Sequence, residues 1–233
     1  MIVVRSLSLS KASRPVLREV SFTLETGITL LAGANGAGKT LLTRCLLGLE
    51  EGMRAEITLD DVPWNPDLAR TKIGYVIQDP QRHFLGLTCA EEVSLGRKNL
   101  NVQAILKQAG LDQYAETPPF LLSGGEQRRL ALANVMAQNP RYLILDEPFN
   151  ALDWEGVKTT LTFLLELKSR GVGVLLVTHD LEKCLAHVDQ VILLKHGQLL
   201  ATGTVEKVWD RFEEAGVHPP NIGISSFRTC TWL

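Results

Sequence analysis

The sequence predicts an α/β protein built on a mostly parallel sheet. Three observations carry that expectation. The apolar run Ile28-Thr29-Leu30-Leu31-Ala32 is followed by a glycine-rich stretch and then by Leu41-Leu42-Thr43-Arg44-Cys45-Leu46-Leu47, which reads as a helix. Further short apolar runs, Lys72 to Ile77, Arg141 to Leu145 and Val172 to Val177, alternate with helical stretches. Polar residues suited to chemistry, namely Gln78, Asp146-Glu147 and His179, stand at the ends of those runs. Strands that alternate with helices form parallel sheets, which bind ligands at the carboxyl ends of their strands.

Taken in order, Ile2 to Leu9 and Val20 to Leu24 alternate apolar and polar residues and read as strands, with Lys11 to Pro15 as the turn between them. Thr26-Gly27 leads into the strand Ile28–Ala32, and Gly48 stops the helix after it. Glu50-Glu51-Gly52 reads as a charged turn, and Ala55 to Leu59 as a short strand ended by Asp60-Asp61. Lys72 to Ile77 is a buried strand ending at Gln78.

From Asp79 to about Gly125 the pattern becomes a mostly helical insertion. Thr88 with Glu91 opens one helix, ended by Gly96. Asn101 caps another that runs to Gln108 and stops at Gly110, and Thr117-Pro118-Pro119-Phe120 breaks the chain. Ser123 and Glu126 have capping-box spacing and open a helix that Asn139-Pro140 ends. Asp153 caps a long amphipathic helix through Lys168, closed by Gly171. Val191 to Leu194, His196-Gly197 and Leu199 to Ala201 form a hairpin pattern. Thr204 caps a last helix, and the tail from Gly216, with Pro219-Pro220, reads as loosely structured.

The bulk properties narrow the function classes. At 233 residues the chain can hold one large α/β domain, which we place at residues 1–215, with a tail at 216–233 and the helical part at about 79–138. A net charge of −2 gives no nucleic-acid polyelectrolyte surface. Cys45, Cys89, Cys184 and Cys230 lie far apart with no C-x-x-C pair, so the default is a reduced, cytosolic setting. Met1-Ile2-Val3-Val4-Arg5 meets a charge too soon for a signal-peptide core. No apolar run approaches the ~18–20 residues of a membrane span. A membrane role therefore has to come through a partner.

The glycine stretch is Gly33-Ala34-Asn35-Gly36-Ala37-Gly38-Lys39-Thr40, and it fits G-x-x-x-x-G-K-[ST] between a strand and a helix. Glycines let successive backbone N–H groups turn toward phosphate oxygens, and the helix N-terminus adds partial positive charge. Lys39 reaches the β- and γ-phosphates as a point charge, and the Thr40 hydroxyl is placed for Mg²⁺. A plain glycine turn would need neither the lysine nor the hydroxyl.

Leu143-Ile144-Leu145-Asp146-Glu147 is the second chemical stretch. Asp146 emerges from a buried strand where it can hold Mg²⁺, and Glu147 is placed to polarise the attacking water. By itself the stretch would equally suit a strand ending in a solvated acidic turn; a phosphate loop upstream favours the catalytic alternative. Gln78 can touch Mg²⁺ and the water, and the His179 imidazole can hydrogen-bond a γ-phosphate, although such residues alone are more often solvated or structural.

With these residues in place, the chain resembles the ATP-binding-cassette ATPases, the nucleotide-binding subunits of ABC transporters. The residues that carry the resemblance are Gly33 to Thr40, Gln78, Leu122-Ser123-Gly124-Gly125-Glu126-Gln127, Leu143 to Pro148, Ala151-Leu152-Asp153 and His179. They occur in the family's order over most of the chain, and Leu122 to Glu126 is the most discriminating. The resemblance implies a P-loop core with a mostly parallel sheet, an antiparallel β subdomain and a helical signature subdomain. It implies two ATPase subunits, in a homo- or heterodimer, closing head to tail on two ATP molecules. Ser123, Gly124 and Gly125 then bind the γ-phosphate held by the partner, Asp153 lies in the inter-subunit loop, and His179 holds the γ-phosphate. Gln78 and the helical insertion face membrane-embedded transport subunits, which puts the chain on the cytoplasmic face of the membrane. Within the family, Gly74 to Pro80, Thr88, Glu91-Glu92-Val93, Gly96 and Glu214 to Pro220 resemble the energy-coupling-factor importers of vitamins and of cobalt or nickel.

Two positions depart from the family pattern. Lys11 stands where relatives carry an aromatic residue to stack on adenine, which implies weaker nucleotide affinity or poorer discrimination between ATP and GTP unless Arg14 covers the base. Leu41 stands where relatives often have a second hydroxyl at the α-phosphate; its N–H still donates.

A soluble mechanochemical ATPase acting on nucleic acid or ribosomes is the alternative of a different class. The long coiled coil of DNA-clamping relatives and the paired cassettes of ribosome-acting ones have no counterpart in the sequence. A small-molecule P-loop kinase is disfavoured by Leu122 to Gln127, and Arg128-Arg129 reads as a solvated helix face or as part of the signature's phosphate environment.

Overall fold

In the computed structural model, residues 1–79, 84–97, 99–150, 152–221, 224–229 and 232 are described. Pro80, Ala151 and Cys230, all named above, lie outside them. Among the described residues, ten strands form two sheets. The larger contains β3 (Gly27–Ala32), β6 (Ile73–Val76), β7 (Tyr142–Asp146), β8 (Gly173–Val177), β9 (Gln190–Lys195) and β10 (Gln198–Gly203), in the order β10-β9-β3-β8-β7-β6. All its pairings are parallel except the terminal β9–β10 hairpin. The smaller is antiparallel: β1 (Ile2–Lys11), β2 (Arg14–Leu24), β4 (Arg54–Leu59) and β5 (Val62–Pro63), in the order β2-β1-β4-β5.

Strands β3 and β8 are buried along their whole length, as expected for parallel strands covered on both faces. Alternate side chains leave them in opposite directions. Leu30, Leu143, Leu145, Val174 and Leu176 join a core with Val157, Leu161, Leu164 and Leu167 of the long helix α6 (Trp154–Ser169). Leu31, Ile144, Leu175 and Val177 join the opposite core, with Leu42, Cys45 and Leu46 of α1 (Lys39–Leu46) and with Ile2, Val4, Leu7 and Leu9 of the antiparallel sheet. Helix α1 is thus anchored between the two sheets. Each buried leucine or valine contributes roughly 1.5–3 kcal/mol to holding it there.

The helical part has its own core of Cys89, Val93, Leu106, Leu111, Leu122 and Leu130, drawn from α3 (Cys89–Ser94), α4 (Val102–Gln108), α5 (Gly124–Met136) and the segments between them. The expected caps are present. Thr88, Asn101 and Asp153 side chains accept from Glu91, Ala104 and Gly156 N–H groups, and Ser123 with Glu126 forms a complete capping box.

Several expectations are corrected. The turn expected over Lys11–Pro15 is only Ala12-Ser13, both at positive φ; Lys11 and Arg14 pair across the strands. Strand β5 and most of helix α2 (Pro66–Lys72) lie in a stretch left unassigned from sequence, and α2 takes Lys72 from the strand expected over Lys72 to Ile77; Asn65 caps α2 and Pro66 takes its first position. Glu50 is more than part of a charged turn, because its side chain is only 5% exposed and pairs with both Lys11 and Arg44. The last helix, α7 (Val205–Val208), follows Thr204, but the Thr204 side chain makes no capping bond.

The tail is also more ordered than its composition suggests. Val217 and Phe227 are buried, Phe227 packs on Trp209, and Trp232 lies 4.9 Å from Trp154. Arg228 bonds Glu206 and the Ala186 and Val188 carbonyls.

Candidate active site

The site lies at the carboxyl ends of β3, β6, β7 and β8. Beyond β3 the chain turns through Gly33 to Gly38 into α1. Gly33 has φ +154°, and a Cβ there would sit 2.3 Å from the Leu194 carbonyl oxygen. Gly38 has φ +103°, and its Cβ would strike Leu17. The backbone path therefore excludes side chains at both positions. The loop is tied down from outside: Ala34 N–H donates to Ala215 O (2.8 Å), and Gly197 N–H donates to Ala37 O (3.0 Å). Ala34, Asn35, Gly36 and Thr40 are exposed, whereas Leu41 is half-buried against the core beneath α1.

Lys39 Nζ donates to Gly33 O (2.7 Å) and Ala34 O (3.1 Å), so the ammonium lies over the loop it would share with a phosphate chain. Burial lowers the Lys39 pKa, and the Glu147 and Asp146 carboxylates oppose that shift. Asp146 moves the other way: burial raises its pKa first, with the Glu147 charge adding to it. Tyr75, from β6, donates to Asp146 Oδ2 (3.4 Å), and burial with the Asp146 charge pushes the Tyr75 pKa up to about 12. A half-buried carboxylate, an exposed hydroxyl at Thr40 and a cradle of backbone N–H groups supply hard oxygen ligands and anion donors. That chemistry fits a Mg²⁺–nucleotide.

Glu147 is a non-glycine residue at φ +47°. Its N–H donates to Val177 O (2.7 Å), which fixes it against the end of β8. Its side chain, 12% exposed, is held at both oxygens: Thr178 Oγ1 donates to Oε2 (2.9 Å), and His179 Nδ1 is 2.8 Å from Oε1. The structure thus brings together Lys39, Asp146, Glu147 and His179. It adds two residues that the sequence reading missed, Thr178 and Tyr75. Both sit beside motif residues on strand ends, so strand register was the available signal.

Arg128 requires a correction. It is 7% exposed rather than part of a solvated face, and it donates to Glu147 O (2.9 Å) and Gln78 O (3.0 Å). Arg129 Nε donates to Ala109 O. Gln78 itself is exposed. The signature residues stay apart from the phosphate loop. Among the described residues no hydrogen bond or ion pair joins Ser123–Gly125 to Gly33–Thr40. Ser123 is engaged with Glu126, and a Cβ on Gly124 would meet no atom within 4 Å, so this helix N-terminus is bare.

A phosphate-binding loop feeding a helix, with a half-buried Asp-Glu pair at the end of β7, one strand removed from β3, defines a nucleoside-triphosphate hydrolysis site. Comparison with known proteins gives the family. The profile of the ABC transporter family matches residues 17–150. The energy-coupling factor transporter ATP-binding protein EcfA1 of Thermotoga maritima is 34% identical over 225 residues, covering 91% of this chain and 84% of the relative. EcfA1 of Lactobacillus delbrueckii subsp. bulgaricus is 36% identical over 217 residues, covering 86% and 77%. The solved structure of cbiO1 from Clostridium perfringens, part of the ABC transporter complex cbiONQ, superposes with a TM-score of 0.80 at 26% identity, covering 91% of this chain and 92% of that one. The chain belongs to the ABC transporter family, as one of its ATP-binding ATPases. Among the described residues no helix is long and apolar enough to cross a membrane.

Proposed function

We propose that this chain is an ATPase subunit of an energy-coupling-factor type importer for a vitamin or a transition-metal ion, working as an ATP-closed dimer. The observation that carries the catalytic part is the Glu147 carboxylate, held by Thr178 and His179 within the field of Lys39. In this reading Gly33, Ala34, Asn35, Gly36, Ala37, Gly38, Lys39, Thr40 and the Leu41 N–H bind the triphosphate. Glu147 takes a proton from the attacking water, oriented by His179, and Gln78 faces that water. Thr40, Asp146 and Gln78 offer oxygen ligands to Mg²⁺, which when bound neutralises charge on the phosphate oxygens.

The bare N-terminus of α5, with Ser123, Gly124 and Gly125, serves the γ-phosphate held by a second ATPase subunit, identical or not. Neither half-site is complete alone. Closure therefore depends on the γ-phosphate, and hydrolysis reverses it. Residues 1–215 act as the ATPase unit, and residues 79–138 pass its motion to membrane-embedded subunits from the cytoplasmic face. The importer reading draws support from the EcfA1 relatives, named as energy-coupling factor transporter proteins, and from cbiO1, described as part of the cbiONQ transporter complex.

The test is affinity capture of the chain from gently solubilised native membranes, with partners identified by mass spectrometry. A polytopic membrane protein in stoichiometric amount is the expected result. Ribosomal proteins or DNA-bound factors in its place would overturn the transport reading and leave the ATPase chemistry standing.

A further inference from the structure

Helix α5 does more than present the signature at its N-terminus. In its second turn it buries a guanidinium under the catalytic strand ends. Arg128 donates one nitrogen to Glu147 O (2.9 Å) and the other to Gln78 O (3.0 Å). The two carbonyls belong to segments that leave adjacent parallel strands, β7 and β6. A planar guanidinium with a fixed fork of donors can span two such acceptors; an ammonium is a single point charge on a flexible stem.

The contact with Glu147 matters because of the backbone there. A left-handed conformation at a non-glycine residue is strained and persists only when the surroundings enforce it. Both sides of Glu147 are enforced: its N–H by Val177 O (2.7 Å), its C=O by Arg128 (2.9 Å) and, at longer range, by the Asn150 N–H (3.2 Å). Remove the guanidinium and the C=O is left to the longer turn bond from Asn150. Burial lowers the Arg128 pKa, and the Glu147 charge opposes that shift.

Helix α5 grips the same region a second time. Asn134 Nδ2 donates to Glu92 Oε1 (2.6 Å), and Glu92 Oε2 accepts from the N–H groups of Leu85 (2.7 Å) and Gly86 (2.8 Å). Gln78 on one side and Leu85-Gly86 on the other are therefore both referred to α5.

We propose that Arg128 is a positioning residue that links the seating of α5, and hence the occupancy of its signature end, to the orientation of Glu147 and Gln78. The proposal rests on the reading that Glu147 activates the attacking water. A helix displaced by a γ-phosphate at Ser123 carries Arg128 with it, and the two carbonyls follow. An unseated α5 leaves Glu147 less well held, so hydrolysis waits for closure.

The test compares Arg128→Lys, Arg128→Met and Glu147→Gln with the wild-type full-length chain. It reads steady-state ATPase kinetics, thermal melting and amide exchange of the peptides containing Gln78 and Glu147. Arg128→Lys keeps charge but loses the two-nitrogen fork that reaches the two carbonyls separately, and Arg128→Met keeps much of the packing. Both are expected to lose about 10–100-fold in kcat with KM little changed, and to speed exchange at both peptides together. Full activity in Arg128→Lys would reduce the role to charge, and full activity in Arg128→Met would reduce it to packing; either overturns the proposal. If Arg128→Met melts early, Arg128→Lys decides. Hydrolysis lost in Glu147→Gln but kept in both Arg128 variants defeats this proposal alone. Hydrolysis that survives in Glu147→Gln defeats the water-activation reading and the proposal with it.

Discussion

His179 Nδ1 lies 2.8 Å from Glu147 Oε1 and orients this oxygen from the end of β8. Thr178 Oγ1 holds the other oxygen at 2.9 Å. Together they fix the plane of the carboxylate. Only the imidazolium carries an N–H on both ring nitrogens, so serving the carboxylate at Nδ1 and a phosphate oxygen at the opposite nitrogen together requires the protonated ring.

Removing that support is expected to cost turnover rather than binding. His179→Ala should lower kcat by about 100-fold, the scale of a reactive group displaced by roughly 1 Å. His179→Gln keeps one N–H donor for one of the two partners, and should fall between the alanine variant and wild type. Single-turnover hydrolysis with saturating ATP checks this. Wild-type rates in the alanine variant would remove His179 from the mechanism.

Glu50 supplies a pH-dependent contribution to stability. Hydrogen bonds from Lys11 and Arg44 hold its carboxyl below the ordinary glutamate value of 4.5. A depressed folded-state value means the stabilisation is complete above 4.5 and is lost as the pH falls through the depressed value. Glu50→Gln should therefore cost about 1 kcal/mol at neutral pH, or about 2–4 °C in Tm, and almost nothing in strong acid. Urea midpoints of both proteins across acid pH check the sign; a gap that widens on acidification would contradict it.

Lys11, the other partner of Glu50, stands where an adenine-stacking ring is expected from the family resemblance. An aromatic stack contributes about 1–3 kcal/mol. Lys11→Tyr should tighten ATP binding by roughly tenfold or more, read by fluorescence titration with a labelled nucleotide. An unchanged affinity would show that the base is held by other means.

Much of the fold was legible because its signals are local. The buried runs of β3, β7 and β8, the caps at Thr88, Asn101, Ser123 and Asp153, and the glycine stops after α1 and α6 are each decided within a few residues. The hairpin at Ala12-Ser13 was not, since it lacks the Asn-Gly type of turn that two positive φ values favour. The tail was misread for a different reason. Its order comes from distant partners, with Arg228 reaching Glu206 and Trp232 reaching Trp154, and composition cannot report these.

The candidate site divides in the same way. Gly33 to Thr40 and Asp146-Glu147 announce themselves by spacing along the chain. The Arg128 bridge exists only because the fold brings α5 beneath two strand ends, 19 and 50 residues away in sequence. A charged pair on a helix looks solvated until that packing is known.

The most direct test of the central claim is ATP hydrolysis by Glu147→Gln, followed with size-exclusion of the ATP-bound protein and with Lys39→Ala as the binding control. The account predicts a loss of roughly 10²–10⁴-fold in hydrolysis, retained ATP and an accumulated ATP-bound dimer, whereas Lys39→Ala loses binding itself. Hydrolysis at the wild-type rate in Glu147→Gln would contradict it.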